Sequence, residues 1–217
     1  KLAHEIKNPL TPIQLIIDNM RTKYIDNVDN SIKNKYQENL DIILNQIKQI
    51  EKLVNEFSDF ARMPKPIFSN NDLNEIIENN INLLKKTDTK TLINILSKNK
   101  TFFFDFDYEQ LNRVIFNLIK NSIESIKEKR IKNVDFKGII DVEIKRLKDY
   151  IVVSIKDNGI GFANKNNKEI IKPYYTTKKN GSGLGLAIVN KIITDHNGSL
   201  NLSNTSIGAK VEVFFNV

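Results

Sequence analysis

The sequence predicts two structural classes in series, a helical hairpin followed by an α/β two-layer sandwich, and three observations carry that prediction. Apolar residues recur in steps of three and four over roughly the first sixty positions, Pro64 and Pro66 end that pattern, and helix-like and strand-like stretches alternate beyond them. The length of 217 residues suits one compact domain with a smaller element attached.

In the first segment the apolar positions are Ile6, Leu10, Ile13, Ile17, Met20 and Tyr24, a narrow seam on a helix. After a polar stretch over 26–30 the pattern resumes at Leu40, Ile43, Ile47, Ile50, Val54, Phe57 and Ala61, again in heptad steps. Two such helices form an antiparallel hairpin. A hairpin has little core of its own, so the seam is expected to dock on a second copy and make a dimeric four-helix bundle; packing against the rest of the same chain is the alternative. Pro9 is expected to disrupt the first helix locally. The run Met63, Pro64, Lys65, Pro66 breaks the second, because proline lacks the amide donor and biases its predecessor away from helical angles. The expected domains are therefore 1–63 and 67–217.

In the second domain a helix is expected over 72–86, strands over 92–97 and 101–106, and a long helix over 108–130, opened by Asp107 and Gln110 in the manner of a capping box. Strands follow over 139–147 and 151–156. A glycine-rich irregular region, a helix over 184–196 and strands over 199–203 and 210–215 complete the chain. The strands are expected to be mostly antiparallel.

Composition narrows the functional classes. No apolar run approaches the roughly 20 residues of a membrane span, and no signal-peptide pattern opens the chain. The absence of cysteine excludes disulfide frameworks and thiolate metal sites and fits a reducing compartment, so a cytoplasmic location is expected. The net charge of +7 invites a polyanion partner, but the lysines are scattered, with no basic stripe and no stacking platform. No nucleic acid is expected as partner; the charge favours small anionic ligands and acidic proteins.

Four local signals carry chemistry. His4 is followed by Glu5, a carboxylate able to take or orient a ring proton, and Asn8 lies one turn on along the same face; a solvated surface pair is the plain alternative. His4 lies outside the apolar seam, so core packing does not explain it. Asn117, Asn121 and Glu124 form one polar line on the long helix, and asparagine supplies the hard neutral oxygen that suits Mg²⁺ beside phosphates. Chance exposure in an asparagine-rich chain is the alternative. Asp157, Asn158, Gly159, Ile160 and Gly161 follow an apolar strand, a place where glycines permit close approach to a ligand and the aspartate can accept from an exocyclic amine. A ligand-free turn is the alternative. Gly181, Gly183 and Gly185 lead into a helix, exposing amides as phosphate sites do, but without the spacing of a Walker loop or a dinucleotide fingerprint. The lysine-rich stretch between Gly161 and Gly181 is expected to be a mobile lid.

In this order the four signals resemble the H, N, G1 and G2 boxes of sensor histidine kinases, and the run 172–178 looks like their F box. Residues 4–15 and 61–66 are similar to the NtrY-like branch of that family. The resemblance implies a Bergerat ATP-binding sandwich, shared with gyrase, Hsp90 and MutL, preceded by a dimerisation and phosphotransfer hairpin. It implies that ATP, with Mg²⁺, phosphorylates His4, with Glu5 as acid/base partner, and that the phosphoryl group passes to the receiver domain of a response regulator. Asn8 stands where the family dephosphorylates that regulator. Asn121 would ligate Mg²⁺, Asn117 would support the phosphates and Asp157 would hold adenine in a pocket shaped by Gly159 and Gly161. Thr177 and Lys178 of the F box, with Gly181, Gly183, Leu184 and Gly185, would close the lid on the phosphates.

Two departures stand out: Ile171 occupies a position usually held by phenylalanine, and only three residues precede His4. Sensor, membrane and upstream helix regions are therefore expected to lie outside this stretch, which itself makes no direct membrane contact. A gyrase-type nucleotide switch without kinase activity would bind ATP but form no phosphohistidine, and the residues around His4 argue against it. A basic nucleic-acid-binding module would show steeply salt-dependent binding.

Overall fold

The computed structural model describes residues 2–97, 100–163, 167–178 and 181–217; the side chains of residues 2–5 and 167 lie outside that description. The chain divides into two compact units, Lys1–Met63 with Thr177–Ser182, and Pro64–Thr176 with Gly183–Val217.

In the helical unit, α1 (Leu2–Asn19) runs on through a π-helical turn at Met20–Tyr24 and a 3-10 turn at Ile25–Asn27, and α2 is Lys33–Ala61. Leu10, Ile17, Leu40, Leu44 and Ile47 form its small core, with Tyr36 packed against it. The expected seam on α2 is displaced: Leu44 is buried, whereas Ile43 and Ile50 are 44% and 41% exposed. At 3.6 residues per turn, positions 40, 44, 47 and 54 fall within one inward-facing arc, and 43 and 50 lie on its flank. The expected disruption at Pro9 does not occur. α1 continues through both Pro9 and Pro12, with Asn8 and Pro9 on its exposed side, where a carbonyl deprived of its helical donor can turn to water.

The second unit has a five-stranded sheet in the order β2–β4–β5–β7–β6, from strands β2 (Thr91–Ile95), β4 (Gly138–Arg146), β5 (Tyr150–Asp157), β6 (Ser199–Asn204) and β7 (Ala209–Asn216). β2 pairs with β4 in parallel; the other pairings are antiparallel. A separate two-stranded ladder joins β1 (Ser69–Asp72) to β3 (Phe103–Phe106). Three helices, α3 (Leu73–Lys85), α4 (Tyr108–Lys132) and α6 (Gly185–Asp195), carry most of the helical core, and α5 (Asn167–Ile170) is a single turn. Strand alternation sends Ile140, Val142 and Ile144 of β4 and Ile151, Val153 and Ile155 of β5 inward, and all are nearly fully buried. Leu111, Ile115, Leu118, Ile119 and Ile126 of α4 are buried as well.

β1 was not expected, because a strand of serine, two asparagines and aspartate has no apolar alternation; its register comes from β3. Its last residue, Asp72, caps α3 by accepting from Asn74 N–H and also accepts Phe102 N–H at 2.8 Å. Asp107 caps α4 through Gln110 N–H as expected. The return half of the capping box is replaced: the Gln110 side-chain amide donates to Pro64 O at 3.0 Å.

Asp107 is also a junction. Its Oδ2 accepts Ile67 N–H at 2.8 Å, and its own N–H donates to His196 Nε2 at 3.1 Å. His196 Nδ1 lies 2.8 Å from Ile192 O, and its ring sits 5.1 Å from that of Phe68. A backbone donor at one ring nitrogen and a carbonyl at the other assign the neutral tautomer with the proton on Nδ1. Burial lowers the pKa of His196, against the bond to Ile192 and the charges of Asp107 and Asp195. Because the folded pKa lies below the unfolded value of about 6.5, this group's stabilisation is complete above that pH and is lost as pH falls through the folded pKa. Urea midpoints of the whole chain are expected to fall with pH below about 6.5, and His196→Gln should flatten that slope. An identical slope in the variant would show that His196 is not the group responsible.

Candidate functional site

Asp157 ends β5, the middle strand of the large sheet, and only 4% of it is exposed. Its Oδ1 accepts Gly159 N–H at 2.8 Å and Ala209 N–H at 3.4 Å, and the Ser122 hydroxyl bonds to the same carboxylate. Burial raises its pKa above the ordinary carboxylate value, and those three bonds and the Lys129 charge oppose the rise. The loop that follows is wedged between α4 and the turn over 205–208. A Cβ on Gly159 would meet Ser125 Oγ at 2.2 Å, and one on Gly208 would meet Asp157 O at 2.3 Å. Ser125 Oγ accepts Ile160 N–H at 3.0 Å. Gly161 has φ +76°, and the next residue, Phe162, exchanges two hydrogen bonds with the Asn204 side chain.

Along α4 the residues Asn117, Asn121, Ser125 and Lys129 follow one another at four-residue intervals, a ridge about 18 Å long. Lys129 meets the Asp157 loop at one end of the ridge. At the other, Asn117 donates to Arg113 O at 2.8 Å while its Oδ1 lies 3.5 Å from where a Gly185 Cβ would stand. Gly185 opens α6, and Leu184 before it is buried and offers no capping side chain to the first amides. Those amides and the helix dipole suit a phosphate. Gly183 has φ +70° and accepts Tyr174 N–H at 3.0 Å; a Cβ there would lie 2.4 Å from Tyr174 C. Tyr174 is itself at φ 69°.

Of the residues singled out from sequence, Asn117, Asn121, Asp157, Gly159, Gly161, Gly183, Leu184 and Gly185 all belong to the sheet-containing unit. Thr177, Lys178 and Gly181 belong to Thr177–Ser182, which groups with the helices; Thr177 is exposed and Lys178 O accepts Gly181 N–H at 3.2 Å. Asn8 is exposed on α1, which also carries His4 and Glu5, whose side chains lie outside the described residues. Parts of the expected lid, 164–166 and 179–180, also lie outside them. Ser122, Ser125, Lys129, Asn204 and Gly208 were missed. For Ser125 and Lys129 a signal existed, since both continue the four-residue spacing of Asn117 and Asn121; for Asn204 and Gly208 nothing local distinguishes them.

Among the described residues no three or more His, Asp or Glu side chains gather to hold a metal ion. The donor set of the α4 ridge instead offers the neutral Asn121 amide oxygen, which fits an Mg²⁺ completed by phosphate oxygens and water. A groove of about 380 Å³ lies elsewhere, on the open face of the large sheet. Two ion pairs in it, Lys145–Glu143 and Lys210–Glu212, are closed at 2.8 and 2.6 Å.

Residues 1–66 match the His Kinase A (phospho-acceptor) domain, and residues 106–217 match the histidine kinase-, DNA gyrase B-, and HSP90-like ATPase family. The chain is 35% identical over 208 residues to nitrogen regulation protein NtrY of Azorhizobium caulinodans, covering 96% of this chain and 27% of that protein. It is 34% identical over 218 residues to an NtrY-like sensor histidine kinase of Rickettsia bellii, covering 100% and 34%. The chain thus spans about a quarter to a third of these relatives. Two solved structures share the fold: full-length ShkA in complex with AMPPNP (TM-score 0.69, 17% identity, 100% of this chain and 44% of that one), and histidine kinase ThkA in complex with response regulator protein TrrA (TM-score 0.68, 24% identity, 99% and 59%). Carrying the phospho-acceptor domain and the ATPase domain in succession, the chain belongs to the sensor histidine kinases.

Proposed function

We propose that this chain transfers the γ-phosphoryl group of ATP to His4 and then to an aspartate in the receiver domain of a response regulator. The observation that carries it is the α4 ridge, with a buried carboxylate at one end and the amides opening α6 at the other, in a chain that also has a phospho-acceptor domain. In this reading Asp157 accepts from the adenine amine, Gly159 and Gly161 leave room for the base, and Asn117 with Gly183, Leu184 and Gly185 lines the phosphate end. Thr177, Lys178 and Gly181 belong to the lid. Asn121 ligates Mg²⁺, which when bound neutralises the charge between the β and γ phosphates.

On α1, a ring nitrogen of His4 is the nucleophile and Glu5 keeps it unprotonated by taking or orienting the other ring proton. Residues 1–63 serve dimerisation and phosphotransfer, and 67–217 bind ATP. The exposed Ile13, Ile16, Ile43 and Ile50 on α1 and α2 support a second copy as the hairpin's partner. ThkA was solved with a response regulator, and a receiver domain is the partner class proposed here. Among the described residues no helix is long and apolar enough to cross a membrane, and the cytoplasmic side of a larger sensor is the proposed location. Exposed Asn8, one turn beyond His4, favours a second activity, dephosphorylation of the same regulator.

His4→Gln should abolish acid-labile, base-stable label from γ-labelled ATP while ATP affinity changes by less than ~2-fold, since His4 and the residues proposed to bind the base belong to separate units. Residual acid-labile label would overturn the assignment. His196 is a poor substitute, being buried with both ring nitrogens engaged.

Asp157→Asn should weaken ATP by roughly 10- to 150-fold, the equivalent of a lost charged hydrogen bond of about 1.5–3 kcal/mol, and GTP much less. Wild-type ATP affinity should fall as pH drops through the raised pKa of Asp157, and the variant should lack that fall. Calorimetry at several pH values checks both; equal losses for the two nucleotides would make Asp157 a loop support only.

Asn121→Ala should cut His4 labelling by roughly 100-fold or more while leaving Mg²⁺-free ATP binding within ~2-fold. Normal labelling with normal Mg²⁺ dependence would remove Asn121 from the site.

A further inference from the structure

Three backbone carbonyl oxygens from two separate loops converge on one ammonium. Lys129 Nζ lies 2.7 Å from Asn158 O, 2.9 Å from Gly159 O and 2.8 Å from Ile207 O, with the Phe136 ring centroid 4.7 Å away. An ammonium has three donors, and each finds a carbonyl. Three carbonyl dipoles aimed at one point repel one another unless a cation lies between them, so the charge holds the arrangement together. Asn158 and Gly159 directly follow Asp157, and Ile207 precedes Gly208, whose backbone lies against Asp157 O.

A lysine in the last turn of a helix has an ordinary task, complementing the macrodipole, and Lys132 is also there to perform it. The carbonyls bound by Lys129 belong to no residue of α4, so this side chain is diverted from the helix end to the loop. One turn earlier Ser125 accepts Ile160 N–H. The helix therefore grips the loop by its donors and its acceptors together.

We infer that Lys129 is a positioning residue for nucleotide recognition: its ammonium clamps the loop over 157–159 to the turn over 205–208 and thereby holds the Asp157 carboxylate in place for the base. This rests on the proposed role of Asp157 in binding adenine. Lys129 acts through the loop and does not itself touch the nucleotide. Its charge also opposes protonation of Asp157, preserving the acceptor.

The chain contains no cysteine, so Lys129→Cys introduces a single thiol that can be alkylated selectively before refolding the whole chain. Aminoethylation rebuilds a lysine-length ammonium; propylation rebuilds the length without the charge. The unmodified and propylated forms should bind ATP at least about 10-fold more weakly than the wild type, with a reduced preference for ATP over GTP, and aminoethylation should restore affinity to within about 3-fold. Lys129→Met, which keeps the apolar stem, guards against a misfolded cysteine form: cooperative melting with weakened ATP binding supports the clamp. Wild-type affinity in a folded Lys129→Met chain, or equal rescue by both alkyl groups, overturns it. Asp157→Asn measured in parallel separates the two ideas. If it leaves ATP binding intact, base recognition by Asp157 fails and the clamp falls with it; if it weakens ATP while Lys129→Met does not, only the clamp fails.

Discussion

Burying an ionisable carboxylate costs several kcal/mol unless its lone pairs are satisfied, and the sheet-containing unit is organised around doing so for Asp157. The compensating groups come from distant parts of the chain: the amides of Gly159 and Ala209, the Ser122 hydroxyl and the Lys129 charge. Bringing them within reach forces α4 and the 205–208 turn against the loop so closely that neither Gly159 nor Gly208 has room for a Cβ. The result is a rigid acceptor at the end of a central strand. In the role proposed for Asp157, an acceptor already held in place pays less ordering cost when the base arrives.

α4 is the element that joins this acceptor to the rest of the site. Its apolar face, with Leu111, Ile115, Leu118 and Ile126, supplies much of the core, and its polar ridge runs from Asn117 beside Gly185 to Lys129 beside Gly159. Both ends of the ridge lie on one helix whose apolar face is buried, so the packing of that face fixes where each end stands. The start of α4 is tied down as well, since Asp107 binds the chain at Ile67 and the ring of His196. That junction couples the segment after Pro64 to the end of α6.

The helical unit works on different terms. Among the described residues its core cluster is small, Leu10, Ile17, Leu40, Leu44 and Ile47 with Tyr36, whereas a row of isoleucines on the same helices remains in contact with solvent. The apolar surface of this amphipathic pair thus extends beyond what the hairpin's own core uses.

The order of the boxes and the class of both units were legible because they depend on local chemistry. Proline at 64 and 66 stops a helix whatever surrounds it, apolar alternation in β4 and β5 marks buried strands, and glycines beside Asp157 and before α6 mark close backbone approach. Local patterns were also overruled. Pro9 did not break α1, Leu44 replaced Ile43 in the hairpin core, and Ser69–Asp72 became a strand only because β3 lay alongside. The spacing that picked out Asn117 and Asn121 extended to Ser125 and Lys129, yet a lysine near a helix end has an ordinary solvated role in sequence. Only folding brought three carbonyls from residues 158, 159 and 207 onto its ammonium. The sequence by itself determined which residue types were available and on which faces they lay, because periodicity and backbone restriction act over a few residues. The tertiary structure alone decided which of them shared a charge or a hydrogen bond, because those interactions depend on distances set by packing between segments tens of residues apart.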